Sequence, residues 1–220
     1  NNHKAEVIIH DNIGEIASAN GAVYAIADAL KRLSTDYATV IPFSVKTMIA
    51  PVEKPPKMIM WDNPTRGRIA EPTHSDRVIR VWNFPAKNCS LSEFKPAEKL
   101  NFGRRGEGGL PSRHSTTLVF DVERDGKCYG LVSYISVEGK EGSEPVTSVR
   151  MLTYRNPVIG ELCSWWNVLV RFPETSVRKG DQIKVEFDAV YEEEQPLYSA
   201  VVTVTARNGS VIMEPESMMW

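Results

Sequence analysis

Apolar and polar residues alternate along this chain in two distinct rhythms. Near the N-terminus, "AEVIIH" (5–10) is a compact apolar run closed by polar residues, which predicts a strand buried on both faces. Val23, Ile26, Ala27, Leu30 and Leu33 then recur at near-helical spacing. Asn20 or Gly21 is placed to start that helix, and Lys31 and Arg32 fall in its last turn, where cations suit the dipole. A strand, a loop and an amphipathic helix in that order are the opening of an α/β unit with parallel strands.

From about residue 40 the rhythm changes to period two. "VIPFSVKTMIAPVE" predicts a strand that its prolines confine to an edge or to its ends. Residues 53–75 hold four prolines and little periodicity, so Met58, Ile59, Met60 and Trp61 need a partner surface. "RVIRVWNF" (77–84) is strand-like and 101–115 is a glycine-rich loop. "TTLVFDVERDGKCYGLVSYISVEG" reads as two strands around Asp125-Gly126, a hairpin turn signal. "CSWWNVLVRF", "QIKVEFDAVYEE" and "LYSAVVTVTARNGSVIME" continue the pattern, with turns at "SVRKGD" and Asn208-Gly209. Short strands joined by tight turns predict an antiparallel barrel or sandwich.

The fold class is therefore mainly β, an antiparallel β-barrel or sandwich over 39–220, preceded over 1–38 by a strand–helix remnant of a Rossmann-like α/β domain. A lone parallel strand cannot satisfy its backbone or cover its faces. The rest of its sheet is expected upstream, or from a second copy of the chain. The first residue is Asn1, which suits a piece of a longer protein.

Composition narrows the class little. The 220 residues carry a formal charge of −2, so no global field draws the chain to nucleic acid or to an anionic membrane. Three widely spaced cysteines, Cys89, Cys128 and Cys163, suggest no disulfide framework and point to a reduced, cytoplasmic setting. No apolar run approaches the roughly 18 residues of a membrane span. His3, His74 and the cysteines lack metal-ligand spacing, and no Ser-His-Asp set is present.

The order of these parts resembles the C-terminal half of the protein arginine methyltransferases. "AEVIIHDNIGE" is similar to the family's fourth Rossmann strand and the acidic loop after it, and "VIPFSVKTMIAPVE" to the lead into the barrel. "LVFDVERDGKCYGLVSYISVE" is similar to a barrel hairpin, and "CSWWNVLVRFPETSVRKGDQIKV" to the Ser/Thr-aromatic-Trp loop with its following strand and turn. The resemblance implies SN2 methyl transfer from S-adenosylmethionine to a protein or small-molecule acceptor. It implies a parent enzyme that forms a homodimer, with 53–75 as the counterpart of the dimerisation arm. In that family two carboxylates grip a guanidinium by charge-assisted, bidentate hydrogen bonds and align it with the methyl group.

Carried over residue by residue, Asp11 matches the first carboxylate, with Glu15 as the other acidic residue of the loop. The family's second carboxylate falls on the neutral Asn20, so the resemblance leaves the acceptor open. Ser164, Trp165 and Trp166 match the substrate-side loop, with Trp165 where a histidine is usual. The glycine-rich turn that holds the cofactor would lie upstream, so these 220 residues alone are expected to bind S-adenosylmethionine poorly and to be inactive. The glycines of 103–109 lie between β elements and are not read as a cofactor loop. A non-catalytic barrel that binds protein or carbohydrate through Trp61, Trp165 or Trp166 is the other reading.

Overall fold

The structure, a computed structural model, describes residues 4–55, 77–81, 84–103, 110–147, 166–191 and 195–219. In chain order its elements are β1 (Ala5–Ile9), α1 (Ala22–Arg32), β2 (Ser34–Ile41), β3 (Ser44–Val52), β4 (Val78–Val81), α2 (Ala86–Cys89) and β5 (Lys95–Asn101). There follow β6 (Arg113–Asp121), β7 (Gly126–Glu138), β8 (Val146–Thr147), β9 (Asn167–Val177), β10 (Gln182–Val190), β11 (Leu197–Thr205) and β12 (Val211–Met219). Ser164, Trp165, Trp61 and most of 53–75 lie outside the described residues.

The helix forms where the spacing predicts it. Gly21 caps it with a φ of 68°, a left-handed conformation that suits a residue without Cβ. Ala22, Val23 and Ile26 are its buried face, and Lys31 and Arg32 its basic last turn. The strand after it was not legible as a separate element. "STDYATVI" mixes polar and apolar residues without clear alternation, yet it forms β2 and pairs in parallel with β1, Ile8 opposite Val40 and Ile9 opposite Ile41. A β-α-β unit results, and β2 runs across residues 38 and 39 into the barrel.

One face of this small sheet is covered and the other is open. Val40 is buried in the same apolar cluster as α1, with Ile8 packed against it. Val7 and Ile9, which share the opposite face by alternation, are 52% and 76% exposed. The expectation of a strand buried on both faces is thus corrected. Among the described residues β2 is the sole strand beside β1, so one edge of β1 is open as well.

The barrel consists of a six-stranded sheet, in the order β4-β9-β7-β3-β5 with β8 beside β7, and a four-stranded sheet, β12-β11-β10-β6. All pairings in both are antiparallel. β3 lies between β5 and β7 rather than at an edge, and its prolines sit at its ends: Pro42 precedes it and Pro51 is its penultimate residue. β11 and β12 pair as the Asn208-Gly209 turn predicts, with Gly209 at φ 84°.

Asp125-Gly126 does not make a hairpin. β6 pairs with β10, whereas β7 pairs with β3 and β9. The backbone between β6 and β7 is diverted, since the Val122 amide donates to the Asp181 carbonyl and the Glu123 amide to that of Leu91. β9 and β10 turn the same corner beside it, with Gly126 opposite Val177 and Gln182 opposite Asp121. Buried Asp181 pins this end by accepting from the amides of Arg178 and Arg207. Side chains stitch the seams between the sheets: Lys95 reaches the Val119 carbonyl at 2.5 Å on one side, and Arg77 pairs with Glu216 at 2.7 Å on the other.

Candidate functional site

The site begins where β1 ends. The His10 amide donates to the Ile41 carbonyl at 3.0 Å, which extends the parallel pairing one residue past the strand. Asp11 follows at once, so its side chain stands at the carboxyl end of a parallel strand, the place where α/β sheets present ligand groups. It is exposed and makes no side-chain hydrogen bond or ion pair with the described residues.

The rest of the loop is fixed to the barrel. Ile13, Ile16 and Ala17 are buried in one cluster with barrel residues such as Val45, Ile183 and Phe187. Ile16 also lines a cavity of about 20 Å³ inside the barrel, together with Thr47, Ser133, Val170 and Phe187. Fully burying an isoleucine contributes about 1.5–3 kcal/mol, so Ile13 and Ile16 together hold the loop firmly. The loop is also tight. A Cβ on Gly14 would meet that of Ala19 at 2.7 Å, and Asn20 donates across the loop to the Ile13 carbonyl at 3.3 Å.

A polar cluster lies beneath the loop, centred on Glu98 of β5, which is 0% exposed. Its carboxylate accepts from Ser18 at 2.6 Å, from Thr47 at 2.7 Å and from the Tyr191 hydroxyl at 2.5 Å. Thr47 in turn accepts from the Ala17 amide at 2.9 Å. The Ser18 and Tyr198 hydroxyls are 2.8 Å apart, and since Ser18 spends its one hydrogen on Glu98, Tyr198 is the donor. Burial, and next the Glu98 charge, push both tyrosine phenols above their usual range.

An uncompensated buried carboxylate costs several kcal/mol. A hydrogen bond to a charged group returns roughly 1.5–3 kcal/mol, so three of them are of the size needed to keep Glu98 inside. A register shift in the β3–β5 pairing leaves Ala97 and Glu98 buried in succession and sets Glu98 opposite Thr47.

Glu15 is bound differently. The Arg80 guanidinium meets it at 3.1 Å, with the arginine side chain 67% exposed and the glutamate 17%. A pair this exposed contributes about 0–1 kcal/mol, too little to hold the loop but enough to offset the local charge of Glu15. His10 packs edge-on against Phe102 with ring centroids 4.9 Å apart, and neither ring nitrogen finds a partner among the described residues. Burial lowers its pKa, against a smaller opposing pull from Asp11.

Of the residues the sequence singles out, the structure brings Asp11 and Glu15 into one loop and sets Trp166, half-buried, just ahead of β9. Among the described residues no group of three or more His, Cys, Asp and Glu side chains is placed to hold a metal. No helix among them is long and apolar enough to cross a membrane.

No protein-family profile matches the chain, and no curated protein sequence does. Solved structures match it over nearly all its length. The Trypanosoma brucei PRMT1 enzyme–prozyme heterotetrameric complex with AdoHcy aligns with a TM-score of 0.65 at 14% identity, over 98% of this chain and 69% of that one. Protein arginine methyltransferase 10 of Arabidopsis thaliana, in an open conformation, aligns with a TM-score of 0.68 at 11% identity, over 99% and 70%. The chain has an arginine methyltransferase fold.

Sequence reasoning missed three residues that build or brace the candidate loop. Glu98 lies in "SEFKPAEKLNF", a charged stretch that reads as solvated surface. Ser18 lies among small residues with no chemical signal. Arg80 is the third residue of the short strand β4, and nothing in its spacing points to Glu15.

Proposed function

We propose that this chain is the barrel-bearing portion of an S-adenosylmethionine-dependent methyltransferase that resembles the arginine methyltransferases, with Asp11 orienting a cationic or polar acceptor. The observation that carries this reading is the contrast within one loop. Asp11 is exposed and has no side-chain partner among the described residues, whereas the residues after it are locked to the barrel. A free carboxylate on a fixed support suits a group that must hold an acceptor nitrogen in one orientation.

Glu15 is the secondary group, available when an incoming cation displaces Arg80. Ser164, Trp165 and Trp166 are assigned to the acceptor's side of the site. The acceptor is a protein segment or a small molecule. With Asn20 in place of a second carboxylate, a single full negative charge awaits it, and a guanidinium held by two carboxylates is not required. Self-association belongs to the proposal, supported by the heterotetrameric state of one neighbour.

The strand-to-helix connection of 10–21 offers no open cradle for the methyl donor, since Ala19 packs closely against Gly14 there. Residues outside this chain are proposed to hold S-adenosylmethionine, which supplies the methyl group. The open edge and exposed face of β1 support a larger sheet at that place. Methyl transfer by the full-length protein, with and without Asp11→Ala, tests the reading. A loss of turnover is expected, and unchanged turnover removes Asp11 from the mechanism.

A non-catalytic barrel that binds protein or carbohydrate is favoured by one observation, the neutralisation of Glu15 by Arg80 beside the neutral Asn20. Calorimetry of the full-length protein with S-adenosylmethionine separates the two: binding heat supports the transferase, and its absence the binding module.

A further inference from the structure

The charged loop is held by a buried group that its own sequence does not reveal. Ser18 and Ala17 are the loop's contributions to the polar cluster, and every other member comes from the barrel: Thr47 from β3, Glu98 from β5, Tyr191 just after β10, and Tyr198 from β11. The direction of each bond follows from donor counting. Thr47 gives its hydrogen to Glu98 and so accepts from the Ala17 amide. Ser18 gives its hydrogen to Glu98 and so accepts from Tyr198. All the hydrogen bonds therefore run toward one carboxylate, whose two oxygens are the final acceptors.

We propose that Glu98 is the positioning residue of the acidic loop: by accepting the Ser18, Thr47 and Tyr191 hydroxyls together, it fixes where Asp11 is presented to the acceptor. This rests on the reading of Asp11 given above. Four observations separate Glu98 from a residue that merely stabilises the barrel. It is fully buried, although the usual place for a glutamate is the surface. Among the described residues none of its hydrogen-bonding partners is a cation. Its bonds reach the loop both directly, through Ser18, and by way of Thr47 to the Ala17 backbone. The other polar anchor, Arg80 on Glu15, is solvent-exposed and weak, and the apolar anchors Ile13 and Ile16 lack the directionality of hydrogen bonds.

The nearly isosteric change Glu98→Gln exposes the role. A glutamine has one acceptor oxygen, and its amide hydrogens would oppose hydroxyls already oriented as donors, so at least one donor is left unpaired. Ser18→Ala is the second variant. It removes the loop's own hydroxyl, and with it an acceptor of Tyr198, but leaves Glu98 bonded to Thr47 and Tyr191, so the barrel keeps the buried carboxylate satisfied. Both are made in the full-length protein and followed by hydrogen exchange and by steady-state methyl transfer.

Amides of residues 11–21 are expected to exchange on the order of 10-fold faster in both variants, while β10 and β11 keep their protection. The kcat should fall by a similar factor while the KM for S-adenosylmethionine stays put. Unchanged exchange in 11–21 overturns the proposal. Faster exchange with unchanged kcat overturns it too, and Asp11→Ala then tells which premise failed. If Asp11→Ala abolishes turnover, positioning by Glu98 alone is wrong; if it does not, the role of Asp11 is wrong as well.

Discussion

The barrel and the β-α-β unit ahead of it draw on similarly apolar sequences and dispose of them differently. In β10, Ile183, Val185, Phe187 and Ala189 are all buried, and the strand is paired along its whole length with β6 on one side and β11 on the other. In β1, Val7 and Ile9 stand exposed, and among the described residues the strand is paired with β2 alone. The barrel finds its own cover within the chain: two sheets face each other, and side-chain contacts close their seams. The unit covers one face with α1 and its loop and leaves the other bare. An apolar pattern thus marks a surface that is costly to leave in water, and says nothing about what will cover it.

This contrast can be strained from the barrel side first. Ile183→Ala, at a fully buried position of β10, should lower stability by about 2–5 kcal/mol. Urea unfolding checks it, and a loss below about 1 kcal/mol would mean that the barrel is not the tightly packed region.

A smaller effect is expected at the junction of the two regions. His10 packs on Phe102 with both ring nitrogens unpartnered among the described residues, and burial depresses its pKa below the ordinary 6.5. The unfolded chain then binds a proton more readily than the folded one. The associated stability is present above 6.5 and is lost as pH falls through the lower, folded value. Thermal melting across that window should show acid destabilisation that His10→Phe diminishes. A variant with the same pH dependence as the wild type would place the titration elsewhere.

Much of the barrel is legible in the sequence because its strands are buried on one face, and "QIKVEFDAV" and "YSAVVTVT" show that as clean alternation. α1 is legible for the analogous reason, its buried stripe. The corner at 122–125 is not. Asp125-Gly126 carries hairpin chemistry, but the residues before it bond to Asp181 and Leu91, and such distant partners leave no local mark. β2 escapes because half-exposed polar residues break its pattern. In the site, Asp11 is legible as an acid directly after an apolar run. Glu98 is not, because it shares the inward face of Leu100 and Phe102 within a stretch whose composition suggests solvent.

The most direct test of the account concerns β1. It takes the bare face of Val7 and Ile9 for the margin of a larger parallel sheet that binds the methyl donor. Ile9→Asp, measured by thermal unfolding in the 220-residue chain and again in the full-length protein, reads this off. The account predicts a change within about 0.5 kcal/mol in the chain alone and a loss of roughly 2 kcal/mol or more in the full-length protein, where the carboxylate would be buried. The same negligible change in both would contradict it.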